Sequence, residues 1–316
     1  MNKQRDNWVD ITKFLACIMI TNSHCREIYP VPFLAIGGGF GNALFFIISG
    51  YLLANIKMTF IPWFKKRCGR VLPITLLFVV VNELVCLGTH IQGSDFYGFA
   101  GYYLDQYWFT FAIVIYYIVF YFIFSQKETL IILSFLVWLI GYVIIYVMLL
   151  DTSVFSVELG GFAPFKVYFY FGIMLMGGII RKERERLCKG MGQQRKMDMV
   201  AFLILLVAFA GWTMEYAAVT VLGVAFQCQF LIHLFVLVFA VTFLFLIWNI
   251  QIGERHIVTL IANSTLEIYL VQITFLGILS KPVFPFNWLL FWCVAITGGI
   301  LVHSMADKIR NRRKLK

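Results

Sequence analysis

Apolar stretches of bilayer length, roughly 20 residues each, follow one another along this chain of 316 residues. About ten can be marked, over approximately 8–27, 36–56, 71–89, 107–125, 130–150, 164–180, 199–221, 226–248, 257–279 and 286–306. A backbone in hydrocarbon must satisfy its own polar groups, so such runs fold as helices. The expectation is an all-α, polytopic transmembrane helix bundle of about ten spans, forming one domain over residues 1–316. Composition agrees: 61% of residues are hydrophobic and 13% charged, where soluble domains carry about 45–50% and about 25%. The first stretch holds Asp10 and Lys13 and has no small-residue cleavage site, so it reads as a retained span. No long soluble segment flanks the apolar runs, and chemistry is expected from the bundle and its loops.

Charge sets the expected orientation. With the N-terminus in the cytoplasm, the inside segments hold 22 of the 26 Lys and Arg residues. The outside segments hold Arg26, Lys166 and Lys281, and Lys13 lies within the first span. This asymmetry predicts a multi-pass protein of the inner (plasma) membrane with both termini cytoplasmic. The net charge of +10 then faces the anionic lipids of the inner leaflet and calls for no nucleic-acid partner. The seven cysteines are scattered, without a CxxC or a Cys/His pair at ligand spacing, so neither a disulfide framework nor a metal site is expected.

The chemistry-bearing stretch is the first, Trp8 to His24. Asp10 precedes Lys13 by three residues, a spacing that permits an ion pair. Lys13 and His24, eleven residues apart, fall on one helical face about 16 Å apart. Ionisable groups inside a span mark function by default. Here the imidazole stands toward the outer end and the cation near the inner end.

Further pieces follow in order: Phe45-Phe46-Ile47-Ile48-Ser49-Gly50-Tyr51-Leu52-Leu53, the basic Lys66-Arg67-Cys68-Gly69-Arg70-Val71-Leu72-Pro73, Tyr107-Trp108-Phe109, Phe169-Tyr170-Phe171-Gly172-Ile173-Met174-Leu175, and Ser264-Thr265-Leu266-Glu267-Ile268-Tyr269-Leu270-Val271-Gln272. Together with Asp10, Lys13 and His24 they resemble the acyltransferase 3 family of integral membrane acyltransferases over most of the chain. Two positions depart from the family pattern. Lys13 stands where an Arg is usual, keeping the charge without the bidentate geometry, and Gln272 stands where a His is frequent.

The resemblance implies O-acylation, usually O-acetylation, of an envelope or exported polysaccharide or its lipid-linked precursor, with acetyl-CoA as the cytoplasmic donor. His24 then reads as general base toward the acceptor hydroxyl, or as a covalent acyl carrier; the residues leave both open. Lys66, Arg67 and Arg70 form a cation cluster suited to CoA phosphates. Lys13, tied by Asp10, and the Ser49 hydroxyl complete the donor side. Glu83, Glu267 and Glu27 are candidates for the acceptor or for orienting His24.

Each has a plainer reading. The cation cluster from Lys65 to Arg70 serves as a positive-inside signal, and the run from Arg181 to Lys196 as a solvated inner loop. Ser49-Gly50 serves helix packing, and Glu83, Glu215 and Glu267 serve structural hydrogen bonds. His233 is read as structural. His90, His256 and His303, with Trp63, Trp108, Trp212 and Trp288, are read as interfacial residues at span ends. A polytopic carrier or exporter of glycans or small acids is the rival function, since buried Glu and His also suit proton-coupled transport.

Overall fold

The computed structural model describes residues 7–86, 96–150, 163–189, 194–222, 229–248, 253, 255–279 and 283–314. Of the residues singled out above, His90, Lys281 and the side chains of Lys196 and Glu215 lie outside the described residues. Among those described, every regular element is helical. The α-helices are α1 (Asn7–Ser23), α2 (Gly38–Leu53), α3 (Phe60–Val85), α4 (Phe96–Gln106), α5 (Trp108–Phe124), α6 (Glu128–Met148), α7 (Ala163–Lys189), α8 (Gln194–Leu222), α9 (Phe230–Trp248), α10 (His256–Asn263), α11 (Thr265–Leu279) and α12 (Phe286–Lys314). Two 3-10 turns, His24–Glu27 and Pro32–Leu34, stand between α1 and α2.

The protein is a transmembrane helical protein. Among the described residues, five helical segments are long and apolar enough to cross a bilayer: Pro32–Leu53, Phe60–Val85, Glu128–Met148, Phe230–Trp248 and Phe286–Arg312. Two bent pairs, α4 with α5 (85°) and α10 with α11 (65°), raise the number to seven if each pair is one span. The ten stretches marked from sequence each overlap a helix in their described residues, but α1, at 17 residues, and the apolar part of α8, Asp198–Met214, are shorter. Leu133, Val137, Ile140, Ile144 and Val147 form an exposed stripe along α6. Water would not tolerate a contiguous apolar face of this kind, whereas lipid tails suit it.

The chain divides into two compact units. The first holds residues up to Met19, Gly37–Ile56 and Phe120–Glu254. Its centre is α2 against α7. A Cβ on Gly50 would run into the Met174 carbonyl, and one on Gly177 into the Ile47 carbonyl. The two backbones touch because glycine stands at both crossing points, the small-residue packing expected where no hydrophobic effect drives association. Gly172 makes room for the Trp138 indole, and Phe120 stacks on Phe124 at 4.0 Å over Gly178. Phe40 packs on Phe239 at 4.3 Å and on Trp212 at 5.0 Å, joining α2, α8 and α9. Gly37, at φ 108°, opens α2 in a left-handed conformation that a side chain would strain.

The second unit holds Ile20–Ile36, Lys57–Val119 and the chain from Arg255. Here α11 packs on α12 and on α3, and Gly299 lets α12 approach the backbone of Ile268. Both helix bends lie in this unit, and at each a side-chain hydroxyl adds a hydrogen bond to a main-chain carbonyl. Thr110 Oγ1 donates to the Tyr107 carbonyl at 2.8 Å, and Ser264 Oγ donates to Leu260 O at 2.9 Å. Broken helices at membrane depth are tolerated only where the freed backbone groups are satisfied.

Candidate active site

The α1 helix stops where its sequence turns to Thr21-Asn22-Ser23, residues whose side chains compete for backbone groups. Ser23 Oγ donates to Ile20 O at 2.7 Å. The Asn22 amide leaves the helix and donates to Leu34 O and Ile36 O, both at 2.9 Å. His24 therefore opens a 3-10 turn instead of ending an α-helix, and the even helical spacing expected between Lys13 and His24 holds only to Ser23. The following segment is pinned from a second side: Tyr29 OH donates to Asn22 Oδ1 at 2.7 Å and accepts from Trp288 Nε1 at 2.9 Å. Burial raises the Tyr29 phenol above its ordinary range and the Trp288 hydrogen bond partly offsets this, so it stays a protonated donor. Beneath the turn, Cys25 and Ile28 join Leu279 and Phe291 in a buried cluster flanked by Phe275, Leu276 and Trp292.

Against this frame the His24 ring is half-buried. Its centroid lies 6.4 Å from that of Tyr269, tilted by 43°. Tyr269 in turn lies 5.7 Å from Phe109, and its hydroxyl donates to Gln106 O at 3.0 Å. Three of the separated sequence pieces, those of His24, Phe109 and Tyr269, thus meet within one unit. Below them Tyr107 OH is 3.2 Å from Thr274 Oγ1, tying the α4–α5 bend to α11.

The cation cluster is placed differently from its sequence reading. The run from Lys65 to Arg70, outside the apolar stretch marked at 71–89, forms the early turns of α3, which continues through Pro73; Lys and Arg are good helix formers. Lys65, Lys66 and Arg70 are exposed, and Arg67 is half-buried. The Arg67 guanidinium stands 5.8 Å from the Trp63 ring centroid, and its buried Nε has no hydrogen-bond partner. A guanidinium held this way fits an anionic ligand.

The carboxylates divide. Glu27 is exposed at the end of the His24 turn. Glu83, buried, accepts from Tyr103 OH, which also accepts from Asn82 Nδ2 at 2.9 Å. Glu267, buried, faces α12: its Oε1 is 3.0 Å from His303 Nδ1, and His303 Nε2 is 3.2 Å from Asp307. Both buried carboxylates thus have hydrogen-bond partners between helices. His303 is a buried bridge between two carboxylates and not an interfacial residue, a pairing hidden by its distance from Glu267 in sequence.

In the other unit, Asp10 is buried and Lys13 half-buried on α1, and Ser49 is half-buried beside Gly50. Sequence reading missed an aromatic group there. Tyr51 lies 5.1 Å from Trp8 and 6.0 Å from Trp248. Arg181 donates from Nη1 to Tyr51 OH at 2.7 Å and covers the same ring at 4.9 Å. Arg181 thus lies within α7 and is engaged with a ring, not part of a solvated loop. The span-end tryptophans also need correction: Trp63 and Trp212 are buried, and Trp288 belongs to the Tyr29 frame. His233 fits its structural reading, buried with Nδ1 at 2.6 Å from Tyr142 OH and packed on Phe165 and Phe169. Among the described residues no group of three or more His, Cys, Asp or Glu is placed to hold a metal ion.

Compared with known protein families, residues 6–303 match the model described as an acyltransferase domain. No curated protein and no solved structure matches the chain.

Proposed function

The chain belongs to the acyltransferase 3 family, and on that premise we propose that this membrane acyltransferase is an O-acetyltransferase of the inner (plasma) membrane. In this reading it transfers acetyl from cytoplasmic acetyl-CoA to a hydroxyl of an envelope or exported polysaccharide, or of its lipid-linked precursor. One observation carries the reading: the half-buried His24 imidazole, fixed at the end of α1, lies against Tyr269 and its neighbour Phe109, side chains from three separate motifs. That arrangement suits a reacting group more than a packing one.

In the proposed step His24 takes the proton of the acceptor hydroxyl as its oxygen attacks the thioester carbonyl. The tetrahedral intermediate collapses with loss of the CoA thiolate, and the imidazolium returns the proton to that sulfur, giving ester and free CoA. An imidazole titrates near neutrality and suits both transfers. Arg67, with Lys66 and Arg70, is proposed for the CoA phosphates, supported by its buried and unpartnered Nε. Asp10, Lys13 and Ser49 are assigned to the donor on the sequence pattern alone. Glu27 is proposed on the acceptor side, and Glu83 and Glu267 act by holding the helices around the site. The whole is proposed as one domain of about ten spans with cytoplasmic termini.

The test is transfer in proteoliposomes. Purified protein receives radiolabelled acetyl-CoA and a panel of methyl glycosides and lipid-linked glycans. The expected result is labelled acceptor with wild type and none with His24→Ala of equal abundance. Label held on the wild-type protein as an acyl-imidazole would replace the general-base step by a covalent relay. Absence of both CoA binding and transfer would favour the carrier.

A further inference from the structure

The face of α11 that meets His24 can be followed residue by residue. Positions three and four apart share a face, so Thr265, Tyr269, Gln272, Phe275, Leu276 and Leu279 form one stripe. Tyr269 touches His24 at one level. At the other, Phe275 and Leu276 pack on the cluster that contains Cys25 and Ile28. Gln272 therefore lies between two levels at which α11 meets the segment His24–Ile28.

The polar groups of this stripe differ. Thr265 Oγ1 donates to Ala262 O at 2.7 Å, and Tyr269 OH donates to Gln106 O. Gln272 is 1% exposed, and its Oε1 has no hydrogen-bond partner. Burying an amide oxygen without a partner is costly, and such groups in native proteins call for an explanation. An acceptor lone pair one turn along α11 from the residue that meets the imidazole is suited to a hydroxyl that is not reacting.

The geometry points to the Gln272 side-chain amide as the group that binds a non-reacting hydroxyl of the sugar acceptor, one helical turn along α11 from the tyrosine that contacts His24. This rests on the O-acetyltransferase reading above and adds to it a determinant of which sugar is accepted. The amide oxygen accepts from the sugar hydroxyl and fixes the ring so that a neighbouring hydroxyl faces the imidazole. Gln272 takes no proton in the reaction.

The experiment pairs protein variants with deoxy substrates. Wild type, Gln272→Leu and Gln272→Glu are purified and compared by melting temperature. Each is then assayed with acetyl-CoA and the best methyl glycoside of the panel, alongside that glycoside's monodeoxy analogues. Gln272→Leu is expected to lower kcat/KM for the parent glycoside roughly tenfold, the scale of one buried hydrogen bond, with the KM for acetyl-CoA unchanged. One deoxy analogue, penalised by wild type, is expected to lose its penalty in Gln272→Leu, since the two deletions remove one interaction. Gln272→Glu keeps an acceptor oxygen and should keep the wild-type preference. Equal losses across the parent and all deoxy analogues, a raised acetyl-CoA KM, or unchanged acceptor kinetics would overturn the assignment; the last would leave a bound water as the amide's partner. If wild type transfers to no glycoside or glycan, the underlying reading falls and this inference with it. If wild type transfers and no analogue couples to Gln272, only the inference falls.

Discussion

The two units of this acyltransferase are held together by different means. In the first, the tightest crossing is made by glycine: Gly50 and Gly177 bring the α2 and α7 backbones into contact, and aromatic rings pack around it, alongside side-chain bonds such as Arg181–Tyr51 and His233–Tyr142. In the second, helices and loops meet through side-chain hydrogen bonds, including Asn22–Tyr29–Trp288, Asn82–Tyr103–Glu83, Tyr107–Thr274 and Glu267–His303. Interhelical hydrogen bonds in membranes average only about 0.6 kcal/mol. Such bonds are a poor way to gain stability and a good way to fix geometry. The contrast is sharpest in two histidines. His233 is sealed among Tyr142, Phe165 and Phe169 with its Nδ1 engaged, whereas His24 stands half-open on a turn that is itself braced from two sides. Burial and company, not residue type, separate the sealed imidazole of His233 from the half-open one of His24.

The largest expected effect tests the first unit. Gly50→Val places a side chain where the Met174 carbonyl stands, and neither backbone can yield without moving a helix. The variant should fail to accumulate as folded protein, read by size-exclusion chromatography after detergent extraction. A well-folded Gly50→Val protein would refute backbone contact at this crossing. Next comes the histidine pair. His24→Ala should lower transfer by about 10²–10⁴-fold, the range for a lost acid–base group, with the melting temperature nearly unchanged. His233→Phe should do the reverse, retaining transfer within a fewfold while costing about 1–3 kcal/mol for a buried hydrogen bond left unmade. If the two variants behaved alike, the distinction between the histidines would collapse.

A third, smaller effect lies at α11 and α12. Glu267→Ala removes the partner of His303 Nδ1, which keeps Asp307 on its other nitrogen, and should destabilise the protein by about 1–2 kcal/mol. Glu267→Gln, which preserves a hydrogen bond to the ring, should cost less than half of that. Denaturation in detergent–urea mixtures checks both. Equal losses would mean that the volume of residue 267, and not its bond to His303, holds the two helices.

Much of the fold was legible in the apolar runs, because a helix in lipid needs only length and hydropathy to declare itself. The bends at Tyr107 and Ser264 were not, since neither carries a proline or glycine to mark it. The start of α3 was misplaced for a related reason. Charge marks Lys65–Arg70 as non-membrane, and charge says nothing against helix. Of the candidate site, His24 and the Tyr269 motif were visible as residues, but their contact was not, because partners so distant in sequence leave no periodic trace. The same holds for His303 on Glu267 and for Arg181 on Tyr51. Gln272 was visible only as a departure from a family pattern; its buried, unpartnered oxygen is a property of packing.

The finest test of the contrast removes one oxygen. Tyr29→Phe leaves the ring in place and deletes the hydroxyl that receives Trp288 Nε1 and donates to Asn22 Oδ1. If hydrogen bonds in the second unit fix geometry, the loss should be modest in stability, about 1 kcal/mol because water reaches this half-buried site, yet visible in catalysis. The expected result is a fall in kcat of roughly fivefold to tenfold with the KM for acetyl-CoA unchanged, the mark of a misplaced reacting group. Trp288→Phe, which deletes one of the two bonds and leaves Tyr29 on Asn22, should fall less. Burial keeps the Tyr29 phenol above its ordinary pKa near 10, so it holds its proton below that pH. The ratio of Tyr29→Phe to wild-type activity should accordingly stay constant from about pH 6 to pH 9. A ratio that changes with pH in that window would mean that the frame tunes the protonation of His24 as well as its position. A Tyr29→Phe enzyme with full kcat would show that the turn holds its histidine without this brace.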